Sequence, residues 1–456
     1  MDAPAYFKGK KITCMGLGLL GGVGDIAYLA ESGADIIATD LKSEEELQPS
    51  LEVLKKYPNI RYTIGKHELA DFQDRDIVIK APSTPLDSIY IAEAHKSGAL
   101  VTMWAALFAQ FAREEGTTIV GITGTRGKTT VTAMLFAILD LAYKQGLNHS
   151  EGVVGRTGLL RKPVLGGNVQ GTSVLPQLAK VSPETIVVLE LDSWKLQGFG
   201  EAKMSPHIAV FTTFYADHMN YYKESMDAYL ADKANIFLYQ TEADTLVLGK
   251  QCAPTIIEKY GDAIQAKTLV VDELKLPDTW MLRIPGMHNR YDAALALAVA
   301  RALSIPDEVS RQALESFAGV PGRLELVREV RGVKIYNDTT STTPEATLAA
   351  LSALGTENTI VIAGGTDKNL DMNALLLKLA EVKRVILLSG TGTNRILEWL
   401  PTASVYDSLS AAIAEALVSA VPGDVILFSP AFTSFGMFKN EYDRGDQFNS
   451  LVHSLS

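Results

Sequence analysis

The stretch Thr118-Ile119-Val120-Gly121-Ile122-Thr123-Gly124-Thr125-Arg126-Gly127-Lys128-Thr129-Thr130 constrains this chain more than any other. An apolar run that reads as a buried strand enters a glycine-bearing turn, and Lys-Thr then opens the helical run at 131–139. In such an arrangement backbone N–H groups and the helix N-terminus face an anion. A lysine ammonium reaches the outer phosphates, and a threonine hydroxyl ligates Mg²⁺. Gly124, Thr125, Arg126, Gly127, Lys128, Thr129 and Thr130 are therefore the candidate nucleotide-phosphate residues. Ile122 stands where the longer G-x-x-x-x-G-K-[ST] pattern has its first glycine, so the motif is a narrower Gly-Thr-x-Gly-Lys-Thr.

The flanks predict more α/β units. Residues 11–15 read as a strand entering Gly16-Leu17-Gly18-Leu19-Leu20-Gly21-Gly22. A helical pattern follows to Ser32, then a strand at 33–40 that ends in Asp40. This is a Rossmann-like opening, and Asp40 has the spacing of a carboxylate that meets a ribose hydroxyl. A dinucleotide or a UDP group could use the same turn. Ser83 and Thr84 follow the strand pattern at 76–80, where ligand crevices of open α/β sheets form. Beyond the central loop, Asn168 lies in a glycine-rich loop, and a strand pattern at 185–193 ends in Glu190 and Asp192. The run 208–212 leads to Asp217-His218, and a helix at 226–239 carries Asp232-Lys233. Gly286-Met287-His288-Asn289 precedes an Ala-rich helix at 292–303, and Gly319 to Arg323 reads as a linker. Strand patterns at 333–338, 359–363, 384–390 and 424–430 follow. The expected fold is α/β in three domains: a Rossmann-like domain at 1–106, a P-loop ATPase-like domain at 107–319 and a Rossmann-like domain at 320–456.

Composition narrows the partners. A chain of 456 residues exceeds one hydrophobic core, and 47% hydrophobic with 21% charged residues fits a globular enzyme. The net charge of −11 argues against nucleic acid as a partner. Cys14 and Cys252 give neither a disulfide framework nor a metal cluster, which fits the reducing cytoplasm. No apolar run reaches the roughly 18 residues of a membrane span, so no membrane insertion is expected.

For Mg²⁺, Thr129 and Glu190 are the natural first oxygen pair, with Asp192 a competitor, and a solvated strand end is an equal alternative for both acids. His218 is a candidate ligand of a second metal or a hydrogen-bonded strand-end histidine. Lys233 reads as a surface lysine, because an ammonium repels a metal unless CO₂ converts the free amine to a carbamate.

Taken in order, Gly124 to Thr129, Gly167-Asn168, Glu190-Leu191-Asp192-Ser193-Trp194, Asp217-His218-Met219, Ala231-Asp232-Lys233, Gly286 to Asn289, Asn337-Asp338, Ser429-Pro430-Ala431 and Ser434-Phe435 resemble the motif series of the Mur ligase family of peptidoglycan synthesis. The resemblance spans nearly the whole chain. It implies a cytoplasmic, monomeric, ATP-dependent amide ligase acting on small molecules through an acyl phosphate. The matching branch joins D-glutamate to UDP-N-acetylmuramoyl-L-alanine. An L-glutamate-adding relative and, more remotely, a folate- or cyanophycin-type ligase are the alternatives.

At matched positions the resemblance implies that Lys128 and Thr129 hold ATP phosphates and Mg²⁺. Glu190 takes the first metal, and His218 with a carbamylated Lys233 takes the second. Lys128, His218 and Lys233 form the catalytic set. Leu19, Leu20, Asp40 and Asn168 face the UDP-sugar. Asn289, Arg323 and Asp338 hold the nucleotide, and Thr342, Lys368 and Ser434 face glutamate. The chain departs from the family pattern at Thr340, where a lysine is common, at Gly322, where a histidine usually precedes the arginine, and at Glu441, where a phenylalanine is frequent. Thr340 and Glu441 fall near the implied amino-acid site.

Overall fold

A computed structural model describes residues 2–18, 22–82, 84–149, 158–167 and 173–455. Packing separates two compact units, one formed by Met1–Pro277 with Tyr291–Leu314, the other by Asp278–Arg290 with Glu315–Ser456.

The first unit holds two parallel sheets. Strands β1 (Lys11–Met15), β2 (Asp35–Asp40), β3 (Ile60–Ile64), β4 (Ile77–Ile79) and β5 (Leu100–Thr102) form a sheet in the order β3-β2-β1-β4-β5. The direction of strand addition reverses between β1 and β4. A crevice opens at such a point outside the strands' carboxyl ends. Here it lies between the turn after β1 and the turn after β4.

The second sheet contains β6 (Thr118–Thr123), β9 (Val164–Gly167), β10 (Ile186–Glu190), β11 (Ile208–Phe211), β12 (Thr245–Gly249) and β13 (Lys267–Val271), in the order β13-β12-β11-β6-β10-β9. A short hairpin of β7 (Asn148–His149) and β8 (Gly158–Leu159) lies apart from it. Every residue of β6, β10 and β11 is buried, as expected of interior parallel strands covered on both faces. Apolar side chains from both sheets merge into one core, from Phe7 and Ile12 through Phe108 to Val187 and Phe211. A buried polar tie crosses it: Asp25, on helix Val23–Glu31, accepts from the Leu175 N–H at 2.6 Å.

The second unit is one sheet of β14 (Glu325–Val330), β15 (Val333–Asn337), β16 (Thr359–Gly364), β17 (Arg384–Leu388), β18 (Ser404–Tyr406) and β19 (Val425–Phe428), ordered β14-β15-β19-β16-β17-β18. All its pairings are parallel except β14 with β15. Helix Glu441–His453 packs beneath it, with Phe448 stacked on Phe428 at 4.6 Å between ring centroids. Among the described residues no helix is long and apolar enough to cross a membrane.

The helix expected at 226–239 ends at Ala234, where the Asn235 side-chain amide turns back to donate to the Asp232 carbonyl at 3.1 Å. The Ala-rich helix starts earlier than its pattern, at Met287, and runs to Ala302.

Candidate functional site

The glycine-bearing loop joins β6 to helix Lys128–Lys144, as its sequence predicts. Gly127 is the helix N-cap, no side chain caps the helix, and no acid occupies its first turn, where Lys128, Thr129 and Thr130 lie. The positive end of the helix dipole is thus left to an anion. Two glycines are sterically required. At Gly124 (φ 142°) a Cβ would lie 2.0 Å from Thr212 Oγ1, and at Gly127 (φ 87°) it would lie 2.6 Å from Asp292 Oδ1.

The residues just past β11 brace the loop. Thr125 N–H donates to the Thr213 carbonyl at 2.7 Å, and Arg126 N–H donates to Thr213 Oγ1 at 2.9 Å. The Thr212 hydroxyl donates to the Arg126 carbonyl, and Tyr215 N–H donates to Thr125 Oγ1 at 3.0 Å. These threonines carry no motif of their own, and sequence reading gave them no role.

Two lysines converge on one carbonyl. Lys128 Nζ donates to Gly124 O at 2.9 Å and to Thr125 O at 3.2 Å. Lys233, only 1% exposed, donates to the same Gly124 O at 2.9 Å and lies over the Tyr229 ring at 4.9 Å. The surface position read for Lys233 from sequence alone is therefore wrong: its helix turns the side chain inward under the loop. Burial first, and then the Lys128 charge, hold the Lys233 ammonium well below its ordinary pKa. Burial also lowers Lys128, with Glu190 acting the other way.

Glu190, at the end of β10, is 2% exposed and lies opposite Ile122 in the strand register. Asp192 is committed elsewhere. It caps helix Ser193–Glu201, accepting from Lys195 N at 2.8 Å and from Lys195 Nζ at 2.8 Å. Burial works to raise the Asp192 carboxyl, but Lys195 outweighs it and holds the group below the usual range. His218 takes a left-handed backbone (φ 56°), a conformation in which non-glycine residues are uncommon. Its ring lies 4.6 Å from that of Trp194, and its Nε2 lies 3.9 Å from Asp217 Oδ2, which also accepts from Arg126 Nη1 at 3.2 Å.

Among the described residues, no group of three or more His, Cys, Asp or Glu could hold a metal by itself. The donors near the loop include the Thr129 hydroxyl and the Glu190 carboxylate. They fit Mg²⁺, which favours oxygen, keeps several waters and is usually held by one or two protein groups plus substrate phosphates.

At the crevice of the first sheet, Asp40 holds the turn after β1: Oδ2 accepts from Leu17 N at 2.7 Å and Oδ1 from Lys42 N at 2.9 Å. Lys80, 1% exposed, holds the turn after β4, donating to the Thr84 carbonyl at 2.6 Å and the Ala81 carbonyl at 3.2 Å. Leu19, Leu20, Ser83 and Asn168 lie outside the described residues.

In the second unit, Thr342, Lys368 and Ser434 lie on loops that leave the carboxyl ends of neighbouring strands β15, β16 and β19. Lys368 Nζ is 3.3 Å from Thr342 Oγ1, and a bridge between Thr366 and Thr433 joins the loops of Lys368 and Ser434. Asn289 donates through its side-chain amide to Pro285 O at 2.6 Å, and Arg323 N–H donates to Val320 O at 3.0 Å. Two of the three departures from the family pattern have local reasons. Gly322 is left-handed (φ 70°), and a Cβ there would lie 2.9 Å from Thr339 Cγ2. Thr340 turns its hydroxyl onto the Gly322 carbonyl at 2.9 Å.

Asp338 is buried, with both carboxyl oxygens engaged: Oδ1 accepts from Leu324 N at 2.9 Å, and Oδ2 from Ser341 Oγ at 2.6 Å and Ser429 Oγ at 2.7 Å. Burial outweighs these bonds and pushes its pKa up from 3.8 to about 6. A folded-state pKa above the unfolded one gives stability that is fully present below pH 3.8 and is lost as pH rises through 6. Asp338→Asn should therefore raise stability at pH 7.5 by no more than about 3 kcal/mol, seen as a higher thermal midpoint, and give no gain at pH 4. Melting curves at the two pH values check this.

Comparison with known proteins follows the same lines. Residues 122–268 match the description "Mur ligase middle domain", and residues 322–432 match "Mur ligase, glutamate ligase domain". The chain is 34% identical to a UDP-N-acetylmuramoylalanine–D-glutamate ligase of Roseiflexus sp. (strain RS-1), over 98% of this chain and 99% of that protein. It is also 34% identical to the ligase of the same name from Borreliella afzelii (strain PKo), over 98% of each. Among solved structures, the MurF ligase of Thermotoga maritima in complex with ADP superposes with a TM-score of 0.60 at 18% identity, over 99% of both chains, which is a likeness of fold.

Proposed function

The chain belongs to the Mur ligase family, and on that premise we propose that it uses ATP to join D-glutamate to UDP-N-acetylmuramoyl-L-alanine in peptidoglycan precursor synthesis. The observation that carries the phosphoryl-transfer half is the convergence of half-buried Lys128 and buried Lys233 on the Gly124 carbonyl, beside a helix N-terminus that no side chain caps. The names of relatives aligned over nearly the full length support the choice of acceptor and amino acid.

In this reading the acceptor carboxylate attacks the γ-phosphorus of ATP, ADP leaves, and an acyl phosphate forms. The glutamate amine then attacks the acyl carbon, and phosphate leaves the tetrahedral intermediate. Backbone N–H groups at the uncapped start of helix Lys128–Lys144 and the Lys128 ammonium neutralise charge on the phosphoryl oxygens. Mg²⁺ held by Thr129 and Glu190 supplies further neutralisation when bound.

A second metal site formed by His218 and a carbamylated Lys233 belongs to the same proposal. Burial and the neighbouring Lys128 favour the free amine of Lys233, which can add to CO₂ and release a proton. The carbamate anion would pair with Lys128, which donates to the same Gly124 carbonyl as Lys233.

Leu19, Leu20, Asp40 and Asn168 are assigned to the UDP-sugar. Asn289, Arg323 and Asp338 are assigned to the nucleotide, and Thr342, Lys368 and Ser434 to glutamate. The domain limits proposed are 1–106, 107–319 and 320–456, in a monomer working in the cytoplasm, where ATP is available.

The test offers D-glutamate and L-glutamate separately, with ATP, Mg²⁺ and UDP-N-acetylmuramoyl-L-alanine. Phosphate release should require the acceptor and D-glutamate together, with a product heavier by one glutamate residue. Turnover with L-glutamate instead would move the chain to the L-adding branch. Phosphate release with neither would overturn the proposal.

A further inference from the structure

Helix Glu441–His453 buries an arginine that no part of the phosphoryl chemistry uses. Arg444 is 1% exposed, and its bonds all go to uncharged oxygens. Nε donates to Thr339 Oγ1 at 3.1 Å, Nη2 to Thr339 O at 2.6 Å and Nη1 to Phe432 O at 3.2 Å. Thr339 stands one residue past Asp338 and three before Thr342, while Phe432 stands two before Ser434. One guanidinium therefore grips the loop after β15 and the loop after β19 together. Thr339 completes the grip, its hydroxyl donating to the Glu441 carbonyl at 2.9 Å, which ties the first turn of the helix to the same loop. The fit is tight: a Cβ on Gly445 would lie 2.6 Å from Thr339 Cγ2. Arg444 also lines a cavity of about 10 Å³ together with Gly365, Thr433, Ser434 and Phe438.

A buried guanidinium bonded only to neutral groups is costly, and an apolar side chain of similar volume would serve packing at least as well. Its retention needs another reason, and the planar fork supplies one. Three donors in fixed directions can hold two backbone segments in register, which a single rotating ammonium cannot.

We propose that Arg444 is a positioning residue of the amino-acid site, holding the Thr342 loop and the Ser434 loop at the separation that the incoming amino acid requires. The proposal rests on the assignment of Thr342, Lys368 and Ser434 to glutamate. Arg444 acts through Thr339 and Phe432. Misplacing binding groups by about an ångström costs up to ~100-fold, so the loss should fall on the substrate held by these loops.

The experiment measures KM for each substrate, kcat and the thermal midpoint of Arg444→Lys and Arg444→Met, with the other two substrates saturating. Arg444→Met should raise the KM for glutamate about 30-fold or more, with the KM for ATP within about twofold of wild type. Arg444→Lys should stay folded and show an intermediate rise of about tenfold, because it keeps the charge and loses the fork. If Arg444→Met fails to fold, Arg444→Lys decides alone. An unchanged KM for glutamate in the folded variant, or an equal loss for all three substrates, overturns the proposal. Failure of the underlying reading shows separately, as a wild-type protein that does not turn over glutamate at all.

Discussion

Lys128→Ala should lower turnover by at least about a thousandfold, the scale set by losing one preorganised donor to a developing anion in a water-poor site. The side chain is not merely near the loop. Its Nζ spans the Gly124 and Thr125 carbonyls, so the ammonium already rests where phosphate oxygens replace carbonyl oxygens as acceptors. Burial raises the effect further, because charge–charge attraction grows as the local dielectric falls. The loop should survive the change, since its shape depends on Thr212, Thr213 and Tyr215, not on the lysine. Steady-state phosphate release paired with circular dichroism checks both halves. Activity within tenfold of wild type would remove the loop from the mechanism.

Lys233→Met should separate stability from activity. Before carbamylation the Lys233 amine is buried and shares the Gly124 carbonyl with the Lys128 ammonium. Methionine removes a buried polar group and fills a similar volume, while Gly124 O keeps its bond from Lys128. The melting temperature should hold or rise. Turnover should fall by about a hundredfold or more, because the proposed carbamate can no longer form. In Lys233→Ala, which leaves a space, short-chain carboxylates should restore part of the activity. A Lys233→Met protein that is less stable yet nearly fully active would return the residue to a packing role.

The interior of each sheet was legible in the sequence because β6, β10, β11, β16 and β19 are apolar runs buried along nearly their whole length. Edge strands were not. β3, β13, β14 and β18 are half exposed and mix polar with apolar residues, with Val270, Leu326 and Val405 open to solvent, so no buried run stands out. The phosphate loop was legible because strand, glycine, lysine and helix are local. The partners that shape it were not: Thr213 meets Arg126 across 87 positions, and Lys233 meets Gly124 across 109. Lys233 illustrates the limit. Composition and pattern assign a lysine to water, and only resemblance pointed it inward. Arg444 was missed for the same reason, since its acceptors are two backbone carbonyls and a threonine hydroxyl that no residue pattern announces. Asp192, weighed as a metal ligand, proved to be a helix cap that serine or asparagine could equally supply.

The single apolar core that both sheets of the first unit share, pinned by Asp25 against Leu175, bears on how the protein can be dissected. A fragment carrying only the nucleotide loop would bare the face that Phe7, Ile12 and their neighbours cover, and would be prone to clump. The two sheets should melt in a single transition, so the limit proposed at 106–107 divides the chain by sheet and not by stability.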